Sequence, residues 1–289
     1  MEFALSTHLF HGERLTRTHL EAVRDAGFTD IEVFATRTHV DYSDERAVAA
    51  LGDWLAGLGL AAGSMHAPIF ASFTAGEWGR PYSNASPDRA RRQEAVGETA
   101  RALAACRALG SEYLVLHLGV PTEAPGAGSD NDRRAVQHSL EEIAELAAAS
   151  GVRLALEVIP NPLSTPDALL DSLEGDLDLG QTGICLDVGH AHILGGAPEA
   201  VETLAGHILT THVHDNRTVS DDHLVPFAGT IDWPATLTAL WKVGYTGRLV
   251  FEVADHEGAG PVLERTVGAR RRLQAILEGL SEPFDFQEP

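Results

Sequence analysis

The residues best suited to chemistry in this chain are imidazoles and carboxylates that close short apolar runs. His66 ends AAGSMH and His117 follows YLVL. Glu157 sits in LALEVIP, Asp187 and His190 in ICLDVGHAH, His212 in THVHDN, Asp221 and His223 in SDDHLVP, and Glu252 in LVFEVAD. A lone histidine at a strand end is ordinarily a satisfied polar residue. An acid inside an apolar run is more costly, because a carboxylate taken out of water needs a partner. Brought together, four carboxylates repel one another, and desolvation pushes some of them to protonate. A divalent cation removes that conflict, and mixed imidazole and carboxylate ligation suits Zn, Mn, Fe or Co better than Ca. One ion takes three or four protein ligands. This set therefore allows two or three ions, or a single ion with the remaining residues as acid–base groups or substrate contacts.

Such residues meet only if the elements carrying them converge. Eight strand candidates run through the chain: Phe3–Ser6, Asp30–Phe34, Ala61–His66, Tyr113–His117, Arg153–Val158, Gly183–Asp187, Leu209–His212 and Leu249–Val253. Helical patterns lie between them, including Leu15–Ala26, Ser43–Leu58, Ser86–Leu109 and Asp132–Ser150, each followed by a glycine in C-terminal capping position. Alternation of this kind predicts βα units and a parallel sheet. The connections entering strands are short, while those leaving them include the long segments Pro68–Pro87, Gly119–Asn131 and Asp215–Asp232. That asymmetry predicts an α/β fold of the (β/α)8 TIM-barrel type, one domain over residues 1–280, with the site at the C-terminal mouth of the strands. Residues 281–289 read as a tail without helical pattern.

The remaining histidines are weaker candidates. His8 follows the first strand and is placed to line the mouth, while His192 and His214 neighbour proposed ligands and are expected to support them. His11, His39 and His256 are expected in solvent-exposed loops. Phe70, Phe73, Trp78 and Tyr82 are expected either to wall a pocket or to pack their own loop.

Bulk composition narrows the partners. The chain has 289 residues, 44% of them hydrophobic, with 21 Lys+Arg against 42 Asp+Glu and a formal net charge of −21. Nucleic-acid binding rests on Lys and Arg contacts to phosphate, so a polyanionic partner is not expected. The two cysteines, Cys106 and Cys185, lie in apolar contexts outside any C-x-x-C pair and are expected as buried thiols. No signal-peptide pattern opens the sequence and no apolar run reaches membrane-span length, so a soluble cytoplasmic protein is expected. Oligomeric assembly stays open.

Taken with their spacing, these segments resemble the xylose-isomerase-like barrel superfamily. It includes sugar and sugar-phosphate isomerases and epimerases, inosose dehydratases and the metal-dependent abasic-site endonuclease IV. The resemblance runs from Phe3 to Leu277, and its most specific pieces are LALEVIPNP, GICLDVGHAH, THVHDNRTVSDDHLVPFAGTIDW and VFEVAD. In the ketose epimerases a Mn or Co ion is held by a Glu, an Asp, a His and a second Glu, roles that the resemblance assigns to Glu157, Asp187, His212 and Glu252. The two glutamates there also flank the substrate carbon and move its proton. His190 is similar to a histidine that assists substrate binding. Arg217 lies near an arginine of the epimerases, although loop lengths differ. In endonuclease IV three zinc ions use nine ligands, and the resemblance gives each a counterpart: His66, His117, Glu157, Asp187, His190, His212, Asp221, His223 and Glu252.

Two chemistries follow as expectations. The first is a metal-dependent isomerase or epimerase of a small sugar or polyol, phosphorylated or not, with Glu157 and Glu252 as the acid–base pair and His190, Arg217, His8 and Trp78 as substrate contacts. The second is a multinuclear-zinc phosphoester hydrolase of the endonuclease IV type. The cofactor is a divalent metal (Mn, Zn or Co), one to three ions per chain. A binding barrel without chemistry is the third alternative, and the retention of every candidate ligand argues against it.

Overall fold

The computed structural model describes residues 1–122, 130–175 and 177–281. In chain order its strands are β1 (Glu2–Ser6), β2 (Asp30–Phe34), β3 (Ala61–His66), the paired β4 (Phe73–Thr74) and β5 (Glu77–Trp78), β6 (Tyr113–Leu116), β7 (Arg153–Glu157), β8 (Gly183–Asp187), β9 (Ile208–Val213) and β10 (Arg248–Phe251). All but the β4–β5 hairpin form a closed barrel in the order β1-β10-β9-β8-β7-β6-β3-β2, and every barrel pairing is parallel. The helices are α1 (Arg17–Asp25), α2 (Glu45–Leu58), α3 (Arg89–Leu109), α4 (Arg133–Ser150), α5 (Pro166–Glu174), α6 (Val188–Leu194), α7 (Ala197–Thr203), α8 (Trp233–Lys242) and α9 (Ala259–Ser281). At least one lies between each pair of successive barrel strands, and α9 follows the last. The expected (β/α)8 barrel is the fold.

Strand periodicity explains why the site can exist. Alternate side chains point to opposite faces. Outward residues such as Leu5, Ile31, Val33, Leu114, Leu154, Ile184, Leu249 and Phe251 are buried against the helices in one continuous core. Burying each such side chain is worth about 1.5–3 kcal/mol. Inward residues form a different environment. A small apolar cluster of Tyr113, Val115, Ala155 and Cys185 shares the interior with the buried polar residues Glu32, Ser64 and Thr210. Apolar packing thus holds the strands from outside and leaves their inner faces for polar work.

Helix ends set the two faces of the barrel apart. Asp44, Asp88, Asp132, Thr165 and Asp232 cap helix N-termini by accepting backbone N–H bonds. Gly59, Gly110 and Gly151 close α2, α3 and α4 in the left-handed conformation and turn the chain at once into the next strand. Several boundaries differ from the sequence expectation for the same reason. Helix α1 begins at Arg17 because Thr16 is its cap, and α3 begins at Arg89 because Asp88 is its cap. His117, Val158, Glu252 and Val253 lie just past their strands rather than within them. Ser281, expected to open the tail, is the last residue of α9. The rest of that tail, and residues 123–129 of the loop after β6, fall outside the described residues. Both cysteines are free and buried, and no described helix is long and apolar enough to cross a membrane.

Candidate metal centre

Four adjacent strands aim their last inward side chains at one volume. Glu157 ends β7, Asp187 ends β8, His212 lies on β9 and Glu252 follows β10, and all four are buried. His212 Nδ1 lies 3.1 Å from Glu157 Oε1, 3.2 Å from Glu252 Oε2 and 3.7 Å from Asp187 Oδ2. One imidazole nitrogen carries at most one proton and cannot satisfy three carboxylates. A cation among them can, and each residue offers a ligand atom within 4.8 Å of every other.

Three further donor groups adjoin or overlap the first, one of them His66 with His212 and Glu252. His66 Nε2 and His117 Nε2 both lie 2.9 Å from Glu157 Oε2, and the three residues form a second set of convergent donors. On the outer side, His190 Nε2 and His223 Nε2 lie 3.0 Å and 3.1 Å from Asp221 Oδ2. With His214 they form a third set. All nine ligand candidates read from the sequence are thus brought together at the mouth.

The far side of several imidazoles is tied down. His66 Nδ1 is 2.8 Å from the Ala67 carbonyl, His190 Nδ1 is 2.9 Å from that of Val158, and His223 Nδ1 is 2.7 Å from that of Glu252. A carbonyl only accepts, so these Nδ1 atoms carry protons. In the neutral ring each Nε2 then turns a lone pair toward a carboxylate oxygen. Two lone pairs at that range repel unless a proton or a metal lies between them. An anchored outer nitrogen and a free inner one are what a metal-binding histidine needs. The donor set therefore fits a divalent cation of the Zn, Mn or Co kind.

The electrostatics point the same way. Burial alone would lower the imidazoles, yet His212 is raised well above its ordinary value by Cys185 and then by Glu252, Glu32 and Glu157, and His190 by Asp187 and Asp221. His223 is pushed up to about 10, Asp221 outweighing burial. Burial alone would raise the carboxyls, yet Glu157 is held well below the usual carboxylate range by His117 and His212, and Glu252 by His212 and His223. His117 is the exception, since burial outweighs Glu157 and lowers it. The site is a concentration of negative charge, and no Lys or Arg lines its cavity among the described residues.

Backbone details hold the carboxylates in place. Asp187 accepts the His190 N–H at 2.7 Å and so caps α6 while facing the site. His214 Nε2 lies 3.0 Å from Asp187. Glycine at position 189 makes room for His214, because a Cβ there would collide with the imidazole ring. The loop after β9 is tied by buried Asp215, which accepts from Phe227 N at 2.8 Å, Ile231 N at 3.2 Å and Trp233 Nε1 at 3.0 Å.

A cavity of about 270 Å³ opens over these donors. His8 and Trp78 line it, as do Phe34 and Phe70. Trp78, His11, His8, His223 and His214 form a column of neighbouring rings with centroid separations of 5.0, 4.6, 4.9 and 4.0 Å. This column binds the β4–β5 hairpin to the barrel mouth, so the aromatic segment both walls the pocket and packs its own loop. His11, expected in an exposed loop, is half-buried and lines the cavity, while His256 is exposed as expected and lies at the cavity rim. His39, also expected to be exposed, is fully buried with Nδ1 2.6 Å from the Glu13 carbonyl. Arg217 lies outside the cavity, in an adjoining groove, and donates to the Ala228 carbonyl at 2.8 Å. A larger groove of about 1090 Å³ between α2 and α3 contains none of the candidate ligands.

Sequence reasoning missed two residues. Glu32 is fully buried below the site, its carboxylate 3.0 Å from His212 Nε2. Asp215 organises the loop after β9. Asp215 lies just past an apolar strand, as the ligand candidates do, whereas Glu32 lies inside its strand, where no strand end marks it.

The xylose isomerase-like TIM barrel family matches residues 20–278, and the chain belongs to it. An uncharacterised protein of Methanocaldococcus jannaschii is 33% identical over 154 residues, 50% of this chain and 51% of that protein. The inosose isomerase of Bacillus subtilis is 26% identical over 162 residues, 53% and 58% of the two chains. The matches span about half the length of these curated relatives. Among solved structures, a D-tagatose 3-epimerase-like protein superimposes with a TM-score of 0.80 at 24% identity, covering 98% of this chain and 100% of its own. The IOLI protein with a bound zinc atom gives 0.73 at 19% identity, covering 96% and 99%. At these identities the structural likeness establishes the fold.

Proposed function

We propose that this member of the xylose isomerase-like barrel family is a divalent-metal-dependent isomerase or epimerase of a small sugar or polyol, with Glu157 and Glu252 moving the proton. One observation carries the reading. Two buried glutamates approach the same imidazole nitrogen, 3.1 and 3.2 Å away, from strands on either side of β9. Both line a cavity of about 270 Å³, which suits a monosaccharide or cyclitol.

Glu157, Asp187, His212 and Glu252 would hold the cation. When bound, it supplies Lewis-acid polarisation of adjacent substrate oxygens, which acidifies the neighbouring C–H. The protein's own residues do the rest. One glutamate takes the proton from carbon and the other returns it, a contribution of about 10²–10⁴ in rate. His190, fixed through Nδ1, presents Nε2 to the cavity, and His8 and Trp78 bound the substrate. The inosose isomerase relative, the epimerase-like structure and the zinc in IOLI support the reading. Hydrogen–deuterium exchange at the substrate carbon, followed by NMR over free and phosphorylated sugars and inososes, tests it. Exchange abolished in Glu157→Gln and in Glu252→Gln is expected, and exchange unchanged in either variant overturns the proton-shuttle roles.

A second reading, a multinuclear phosphoester hydrolase, is favoured by the four adjoining or overlapping donor groups. Metal stoichiometry separates the two. One tightly held ion per chain supports the isomerase, while three zinc ions together with phosphoester cleavage support the hydrolase.

A further inference from the structure

We propose that Glu32 is a positioning residue that fixes His212 as an Nδ1 metal ligand. The inference rests on the metal reading of the site. Glu32 lies in the middle of the apolar run DIEVF and is fully buried in the barrel interior. An ionised carboxylate in that position costs several kcal/mol without partners. The partners are specific. Register places Glu32 opposite Ser64 on β3, and the Ser64 hydroxyl donates to Oε2 at 2.8 Å. His212 Nε2 lies 3.0 Å from Oε1 and 3.1 Å from Oε2. Among the described residues no Lys or Arg is bonded to it.

The consequence concerns where a single proton sits. A neutral His212 has two choices. With the proton on Nε2, Glu32 accepts it and the Nδ1 lone pair faces Glu157, Glu252 and Asp187. With the proton on Nδ1, it is donated to Glu157 or Glu252, and the ligand position closes on itself. Among the described residues, Glu32 is the only carboxylate at the Nε2 side of His212. It therefore stabilises the open tautomer at the expense of the closed one. The carboxylate–histidine arrangement also raises the basicity of the ligating nitrogen, and losing such a support typically costs 10–100-fold in metal affinity. Ser64 keeps the carboxylate turned toward the ring.

The test is Zn²⁺ affinity of the full-length protein, measured by competition with a chelating dye, for wild type, Glu32→Met and Glu32→Gln. Methionine keeps length and removes the acceptor, and a weakening of about 10–100-fold is expected. Glutamine keeps a neutral acceptor and is expected to fall between the two. In the Cd²⁺-loaded, ¹⁵N-labelled protein, ¹¹³Cd coupling to His212 Nδ1 is expected in wild type and is expected to be lost or shifted in Glu32→Met. Affinities within about two-fold of wild type in the folded variants, or Cd²⁺ coupling to Nε2 in wild type, overturn the proposal. If Glu32→Met does not fold, Glu32→Gln decides alone. A wild-type protein that binds neither Zn²⁺ nor Mn²⁺ overturns the metal reading itself, a result distinct from tight binding that ignores Glu32.

Discussion

The inner and outer donor groups are built from different backbone. Glu157, Asp187, His212 and Glu252 sit at the ends of four adjacent strands, each hydrogen-bonded to its neighbours in a closed barrel. Their positions are set by the same packing that holds the fold. The outer group draws His190 from the seven-residue α6 and His214 from just past β9, with Asp221 and His223 on the following loop. The Asp221 side chain is 36% exposed, and His223 has φ 45°, in the left-handed region. A non-glycine residue held there carries roughly 1–3 kcal/mol of strain. Strand positions hold donors more accurately than loop positions do. The inner group is therefore prepared before anything binds, whereas the outer group depends on one loop being held down.

The sharpest break in that comparison is at the inner glutamates. Glu157→Gln and Glu252→Gln each remove a proton carrier and a ligand, and a loss of about 10²–10⁴ or more in proton exchange is expected with the fold intact by circular dichroism. Next in size is the outer group. With one ion per chain, Asp221→Ala is expected to leave that inner ion in place through dialysis, and with several ions it is expected to weaken the outer one by about 10–100-fold, read as metal per chain. If the inner ion leaves as well, the groups are one cluster and the contrast fails.

Asp215→Asn tests whether the loop is what separates the groups. It removes the charge that receives the Phe227 and Ile231 amides and the Trp233 indole N–H. A loss of about 1–3 kcal/mol in denaturant unfolding is expected, with outer metal affinity reduced and inner affinity kept.

Histidine itself behaves differently in the wall and in the site. The site imidazoles His190, His212 and His223 face carboxylates and are raised. His39 faces a carbonyl, and burial pushes it down to about 4. The folded state therefore prefers neutral His39. Its contribution is complete above the unfolded value of about 6.5 and is lost as pH falls toward 4. About 2 kcal/mol should be gone at pH 5, and Gln at position 39 should flatten the stability profile between those limits. An unchanged slope would show that His39 is not the group responsible. The smallest expected effect is on duplex DNA, where no tight binding at physiological salt is expected, and tight binding there would favour the hydrolase reading.

The fold was legible because barrel strands and helices each write a period into the sequence. Runs such as LALE and GICLD, spaced by helices closed at Gly59, Gly110 and Gly151, specify parallel βα units without any long-range information. The ligand candidates were legible for a related reason: an acid or imidazole at the end of an apolar strand stands out against its context. Glu32 was not, because it lies inside its strand and only the closed barrel reveals that it touches His212, 180 residues away in sequence. His39 and His11 were misread for the opposite reason. They lie in loops with no periodic signal, and packing across the mouth decides whether a loop residue meets solvent.

By itself, then, the sequence determined the barrel and the candidate donors that gather at its mouth. Local propensity and periodicity are short-range, and they suffice for those. The tertiary structure decided how the donors divide into groups and which nitrogen of each histidine faces inward. It also set which carboxylate stands behind His212. These depend on approaches of about 3 Å between residues far apart in the chain, which closure of the sheet alone brings about.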